Sequence, residues 1–241
     1  MKRNSGDSLE RAFDTPEAKR RYVRWLFATI ADRYDTITRV LSFGLDRGWK
    51  ARLVSLAGVQ PGWRAVDLAC GTGDIALEVA RRGAAVIGLD ITPRMVELAR
   101  AKPATGRLAW LVGDMMSLPV RAESCDLVTT GYGLRNVPDL ARTLREIHRV
   151  LKPGGLACSL DFDRPDTPWL RAIYLSFLTL FGGLLGRVLH GRSETYRYIP
   201  ASIRRYPGAR GVARMMRDAG FSDVQHVPVL GGLMAIHVFR K

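Results

Sequence analysis

The stretch Val66-Asp67-Leu68-Ala69-Cys70-Gly71-Thr72-Gly73-Asp74 runs from an apolar segment into a Gly-x-Gly turn and then into a helical pattern. Glycines there remove the Cβ atoms that would hold the backbone away from a ligand, and a helix start offers unpaired N–H groups. Asp90-Ile91 closes the next apolar segment, about 20 residues after Gly71, where a carboxylate can accept both hydroxyls of a ribose. Asp114 ends a third segment in Val112-Gly113-Asp114-Met115, and there it would face an adenine amino group beside the apolar Met115.

Gly71, Gly73 and Ala76 also satisfy the dinucleotide pattern G-x-G-x-x-G/A. A nicotinamide-dependent oxidoreductase is therefore a reading of a different class, and a plain tight turn is a third. Asp67 separates the first two. A carboxylate beside the glycine loop repels a pyrophosphate, but it can organise a loop that holds the cationic methionine end of S-adenosylmethionine. The expected cofactor is S-adenosylmethionine, held by Asp67, Gly71, Thr72, Gly73, Asp90, Ile91, Asp114 and Met115.

These residues need a scaffold of alternating elements, and the pattern supplies one. Strand-like runs at Ala65–Ala69, Ala85–Leu89, Leu108–Val112, Leu127–Thr130 and Leu156–Phe162 alternate with helical stretches at Asp74–Arg82, Pro93–Ala101 and Leu140–Leu151. Such alternation predicts an α/β fold, a Rossmann-like doubly wound, mostly parallel sheet. Two closing strands, Asp223–Leu230 and Leu233–Phe239, follow a basic helix at Gly211–Ala219 and predict an antiparallel C-terminal edge hairpin.

Residues 1–15 read as a flexible tail, and 16–241 as a single domain with a helical cap over 16–60. In that cap, Tyr22, Trp25, Leu26 and Ile30 share a helical stripe, and a second helix is expected over Asp46–Ala57. A lid-like insertion is expected over 165–210. Within it, Ala172–Gly186 carries no charge and is bracketed by Arg171 and Arg187. That run is too short to span a bilayer comfortably, which takes about 20 apolar residues. It reads either as an interfacial segment facing acidic head groups or as a lid packed on the sheet.

The 241 residues are 47% hydrophobic, enough for one sizeable core. Lys and Arg number 37 against 23 Asp and Glu, a net +14 that favours anionic partners without specifying one. No nucleic-acid module or stacking platform accompanies the charge, so nucleic acid is not expected. Cys70, Cys125 and Cys158 are scattered, and the four histidines show no metal-ligand spacing, so buried free thiols, a reducing cytoplasm and no metal are expected.

The loop, Asp90, Asp114 and Leu151-Lys152-Pro153-Gly154-Gly155 together resemble a class I methyltransferase. More closely, the chain resembles the ubiquinone/menaquinone biosynthesis C-methyltransferases, from about residue 28 to the end. Their Phe/Tyr-Gly-Leu-Arg-Asn-Val stretch stands here as Tyr132-Gly133-Leu134-Arg135-Asn136-Val137. Their early segment stands as Tyr34-Asp35, Leu41-Ser42-Phe43-Gly44 and Arg47-Gly48-Trp49-Lys50, and a later one as Tyr196-Arg197-Tyr198-Ile199-Pro200-Ala201-Ser202-Ile203. Thr38, Asp46 and Gly131 stand where Asn, His and Ser are usual.

The resemblance implies C-methylation of a prenylated benzoquinol or naphthoquinol. It implies that Gly131 lines the cofactor site and that Arg135 stabilises a phenolate or activates a water. Asn136 and Tyr34 would then orient the ring. Read from the residues alone, Arg135 could instead pair with Asp139 or a carbonyl, with Asn136 capping a turn. Other small-molecule acceptors remain alternatives, and peripheral contact with an anionic inner membrane face and self-association are left open.

Overall fold

The computed structural model describes residues 9–165, 167–190 and 194–241. Residues 1–8 of the expected tail and the side chain of Arg187 lie outside them. Three helices come first: α1 (Pro16–Ile30), α2 (Tyr34–Leu41) and α3 (Asp46–Leu56). There follow β1 (Arg64–Leu68), α4 (Asp74–Arg81), β2 (Ala85–Asp90), α5 (Pro93–Ala101), β3 (Leu108–Val112) and β4 (Cys125–Gly131). Then come α6 (Leu140–Val150), β5 (Leu151–Phe162), α7 (Pro168–His190), α8 (Glu194–Arg205), α9 (Gly208–Asp218), β6 (Ser222–Val229) and β7 (Met234–Arg240).

The strands form one seven-stranded sheet in the order β3-β2-β1-β4-β5-β7-β6. The first five are parallel, and β7 pairs antiparallel with both β5 and β6, as the doubly wound reading with a C-terminal hairpin requires. One face is covered by α3 and α4 through Leu53, Val54, Ile75 and Val79, the other by α6 and α9 through Leu144, Ile147, Val212 and Met216. Both faces of β1 and β4 are therefore buried over most of their length, so these strands lack the apolar–polar alternation of a one-sided sheet.

From β1 the chain winds outward through β2 to β3, and from β4 it winds the other way to β5. The loops at the carboxyl ends of β1 and β4 thus bound a crevice where the winding reverses, the usual ligand position in open parallel sheets. Both loops hold a non-glycine residue at positive φ, Ala69 at 50° and Tyr132 at 60°. Backbone held in that region is costly and concentrates where function over-determines it.

The structure differs from the sequence reading in four places. Residues 9–15 are not loose: Ala12 is buried, Phe13 stacks on Tyr198 at 5.8 Å, and Thr15 caps α1 by accepting the Ala18 amide at 3.1 Å. α2 is an extra helix, too short for a pattern to announce. α7 runs on both sides of 172–186, because burial of Tyr174 and Leu175 against Ile203 outweighs the helix-weakening glycines. β5 begins at Leu151, before the Pro153-Gly154 turn, where the sequence reading still had the preceding helix.

Candidate active site

Two cavities meet over the crevice. The first, of about 690 Å³, is lined by Gly71, Asp90, Ile91, Asp114, Met115 and Gly131, all expected at the cofactor site, with Tyr34 and Asn136 at its edge. β2 carries Asp90 to the end of its strand, where its carboxylate accepts the amides of Gly71 at 2.9 Å and Thr92 at 2.8 Å. Burial pushes this carboxyl above its ordinary range, against the pull of those two amides. Each oxygen keeps a further lone pair for a hydroxyl. Asp114 accepts the Met116 amide at 2.9 Å and pairs with Arg20 of α1 at 3.0 Å. Arg20, Val23 and Phe27, all from α1, roof this cavity; no sequence signal tied that helix to the carboxyl ends of the strands.

A smaller space of about 300 Å³ continues from the glycine loop and is lined by Asp67, Cys70, Thr72, Lys50, Asp74 and Tyr132, among others. Asp67 accepts Thr129 Oγ1 at 2.7 Å and the Ala76 amide at 3.1 Å, so it ties β1, β4 and the start of α4 together. Burial pushes its carboxyl up to about 7, partly offset by those two donors. Thr72 donates to Asp35 at 2.5 Å. Gly73 lines none of the three spaces. At φ 85° it precedes α4, and a Cβ on it would strike the Trp110 ring, so it serves the turn and the packing of β3.

The second large space, about 1260 Å³, is almost wholly apolar and is walled by α1, α2, α7 and α8. Leu26, Ile37, Phe162, Phe177, Leu178 and Ile199 are typical of its lining. Arg135 enters it from the Leu134–Asn136 turn after β4. Its Nη1 reaches Asp161 Oδ1 and the Tyr132 carbonyl, its amide donates to Asp161 Oδ2 at 3.1 Å, and its guanidinium lies 4.7 Å over the Phe162 ring. Burial pushes the Asp161 carboxyl up and the Arg135 cation opposes it. Lys19 of α1 donates to the carbonyls of Arg135 and Val137 at 3.1 and 2.6 Å, and burial lowers its ammonium to about 8.

Asp139 is not the partner of Arg135, since it caps α6 by accepting the Arg142 amide at 2.8 Å. The carbonyl contact does occur, and Asn136 Nδ2 shares the same Tyr132 carbonyl at 2.7 Å. Yet Arg135 Nε and Asn136 Oδ1 are buried without any hydrogen-bond partner. Orphaned polar atoms cost free energy unless something arrives to meet them.

Tyr34 and Tyr132 line all three spaces. Tyr132 donates its hydroxyl to buried Asp46 at 2.6 Å, and Lys50 bridges Asp46 at 2.6 Å to Asp74 at 2.9 Å. Burial alone would lower Lys50, but Tyr34, Asp46 and Asp74 outweigh it and hold the ammonium above its ordinary range. Asp46 and Tyr132 were legible only as a departure and a motif position; their contact was not. Asp161 was missed, although it shares with Asp90 and Asp114 the placement of an acid at the carboxyl end of a strand.

The profile of the ubiE/COQ5 methyltransferase family matches residues 15–241. The chain belongs to that family. It is 38% identical over 228 residues to a demethylmenaquinone methyltransferase of Roseiflexus castenholzii, covering 94% of this chain and 96% of the relative. It is 39% identical over 229 residues to a 2-phytyl-1,4-naphtoquinone methyltransferase of Nostoc punctiforme, covering 91% and 98%. Among solved structures, an S-adenosylmethionine-dependent methyltransferase of Thermotoga maritima superposes with a TM-score of 0.66 at 21% identity, covering 91% of this chain and 99% of that one. This member of the ubiE/COQ5 family is therefore an S-adenosylmethionine-dependent methyltransferase, and the nicotinamide reading falls. The first cavity suits the cofactor on its own terms. Glycine backbone forms part of its wall, and two carboxylates stand on its rim. A Cβ at Gly131 would lie 2.7 Å from Ile75 Cδ1, so Ile75 occupies the room that the usual serine would take.

Proposed function

We propose that this enzyme methylates a ring carbon of a prenylated benzoquinol or naphthoquinol. The observation that carries the proposal is the large apolar cavity, joined to the cofactor cavity at Tyr34 and Tyr132, with the Arg135 cation buried in its wall. The names of the Roseiflexus and Nostoc relatives point to the same class of acceptor.

S-adenosylmethionine supplies an electrophilic methyl group on a sulfonium. In our reading Asp90 holds the ribose hydroxyls, Asp114 the adenine amino group once Arg20 yields, and Asp67 organises the loop at the cationic methionine end. A quinol carbon is a weak nucleophile until the neighbouring hydroxyl loses its proton. Arg135, fixed by Asp161 and poor in solvent, stabilises that phenolate. The new carbon–carbon bond would form as the methyl–sulfur bond breaks, leaving a neutral thioether, and the ring hydrogen would then leave to solvent as a proton, which restores aromaticity. Tyr34 and Asn136 hold the ring over the junction, which supplies part of the rate through positioning alone. A methyl-transfer assay over demethylated quinols, simple phenols and RNA tests this. Turnover confined to the quinols is expected, and turnover of phenols or RNA with none of quinols would overturn it.

The helical parts fit a lipophilic acceptor. α1–α3 act as the cap, and α7–α8 as the lid. The lid turns Tyr174 and Leu178 toward the cavity, while Trp169, Ile173 and Leu180 are left exposed on another face. Among the described residues no helix is long and apolar enough to cross a membrane. We read this face, with Arg171 beside it, as a peripheral contact with an anionic membrane, so lid and interfacial segment are one helix. Flotation with anionic liposomes at low salt tests it. Absence of binding, or self-association that hides the face, would refute it.

A further inference from the structure

Tyr198 has no part in the reading above. It lies on α8, is 1% exposed, and lines the large apolar cavity. Its ring is locked in place, stacked on Phe13 at 5.8 Å and tilted against Tyr22 at 5.5 Å. Its hydroxyl has no hydrogen-bond partner. A phenylalanine would make the same ring contacts without burying an unmatched hydroxyl, so packing does not account for the oxygen. α8 also packs on the turn that carries Arg135, whose own Nε is orphaned at the same cavity. Two rigid, unmatched polar groups in an otherwise greasy wall are the usual way a pocket fixes the orientation of an apolar ligand.

We propose that Tyr198 Oη is a second polar anchor for the acceptor, binding the ring oxygen that Arg135 does not hold. The inference rests on the acceptor reading given above and adds the chemistry that the site selects. It favours an aromatic ring with two oxygens over one with a single phenol. Tyr206 provides the internal control: its hydroxyl is also buried and orphaned, but it does not line the cavity.

Anaerobic calorimetry in the absence of S-adenosylmethionine tests this, with two ligands already methylated at ring carbons 2 and 3, namely 2,3-dimethylnaphthalene-1,4-diol and 2,3-dimethyl-1-naphthol. The wild-type protein should bind the diol about threefold to tenfold more tightly, the scale of one neutral hydrogen bond. Tyr198→Phe should bind both ligands equally while keeping its affinity for S-adenosylmethionine. Without ligand it should melt no lower than wild type, since it sheds an unmatched hydroxyl. Tyr206→Phe should keep the wild-type preference. A Tyr198→Phe protein that still prefers the diol would overturn the assignment. Wild-type protein that binds neither naphthol would overturn the acceptor reading itself, and this inference with it.

Discussion

The cofactor cavity and the acceptor cavity share a wall but are built from different material. The first is framed by the carboxyl ends of β1, β2, β4 and the turn after β3, with carboxylates held by backbone amides. The second is framed mostly by helices outside the alternating core, with side chains on apolar surfaces and few polar groups. Strand ends fix a functional group to a fraction of an ångström because each strand is hydrogen-bonded on both sides. Helix packing is fixed only by shape, and a shape-defined wall can change occupant while the strand ends keep the chemistry. If this division is right, changes in one cavity leave binding in the other nearly untouched.

The sharpest break is Arg135→Ala. Loss of a buried charge-stabilising donor should lower turnover by about a hundredfold or more. Affinity for S-adenosylmethionine, measured by calorimetry, should stay within about twofold. Asp161 would lose its partner, so a thermal melt must accompany the assay. Arg135→Lys should keep the fold and recover little activity, because an ammonium cannot reproduce the planar fork. Full activity in either variant would remove Arg135 from the chemistry.

The reciprocal break is Asp90→Ala. Cofactor binding should weaken by about 1.5–3 kcal/mol, the scale of hydrogen bonds to a charged group. Because Asp90 also orders the Gly71 and Thr92 amides, part of that loss reflects the glycine loop rather than the ribose. Binding of an acceptor analogue to the same variant should be unchanged.

A smaller effect tests the shared wall. Tyr132→Phe removes the hydroxyl bond to Asp46 and leaves that buried carboxylate with Lys50 alone. Stability should fall by about 1–3 kcal/mol in chemical denaturation. Asp46→His restores the residue usual in the family, and combined with Tyr132→Phe it should be less damaging than the two single changes added together. Strict additivity would mean that the contact carries no energy.

The division between the cavities also explains what could be read in the sequence. Glycine turns, strand-end acids and the period of the strands are local signals, so spacing was enough to bring Gly71, Asp90 and Asp114 to one cavity. Gly73 satisfied the same pattern, but its neighbour turned out to be Trp110, which is 37 residues away and visible only in the folded sheet. Asp161 had the local signature and was passed over. Arg20 and Lys19 could not be found, because nothing in an amphipathic helix says which strand end it will roof. Pro200 lies inside α8 against its local preference, and tertiary burial of Tyr198 and Ile203 holds the helix.

The smallest expected effect concerns Asp67, which ties β1 to β4 and to the start of α4 beside the glycine loop. Burial holds its carboxyl at about 7 instead of its ordinary value of 3.8. A carboxyl whose folded value is raised binds its proton more tightly in the folded chain. Its contribution to stability is therefore greatest at low pH and is lost as pH rises from about 4 through 7. The methionine end of the cofactor is cationic and favours the ionised form, so cofactor binding should expel a proton below neutrality. Affinity should then rise between pH 6 and 8, by about tenfold at most, and level off above. Asp67→Asn is a fair comparison, because its Oδ1 can still accept the Ala76 amide while its Nδ2 donates to Thr129 Oγ1. In that variant the rise should disappear, and calorimetry in buffers of different ionisation enthalpy should show no proton release. If wild type and variant follow the same pH curve, Asp67 shapes the loop without sensing the charge beside it.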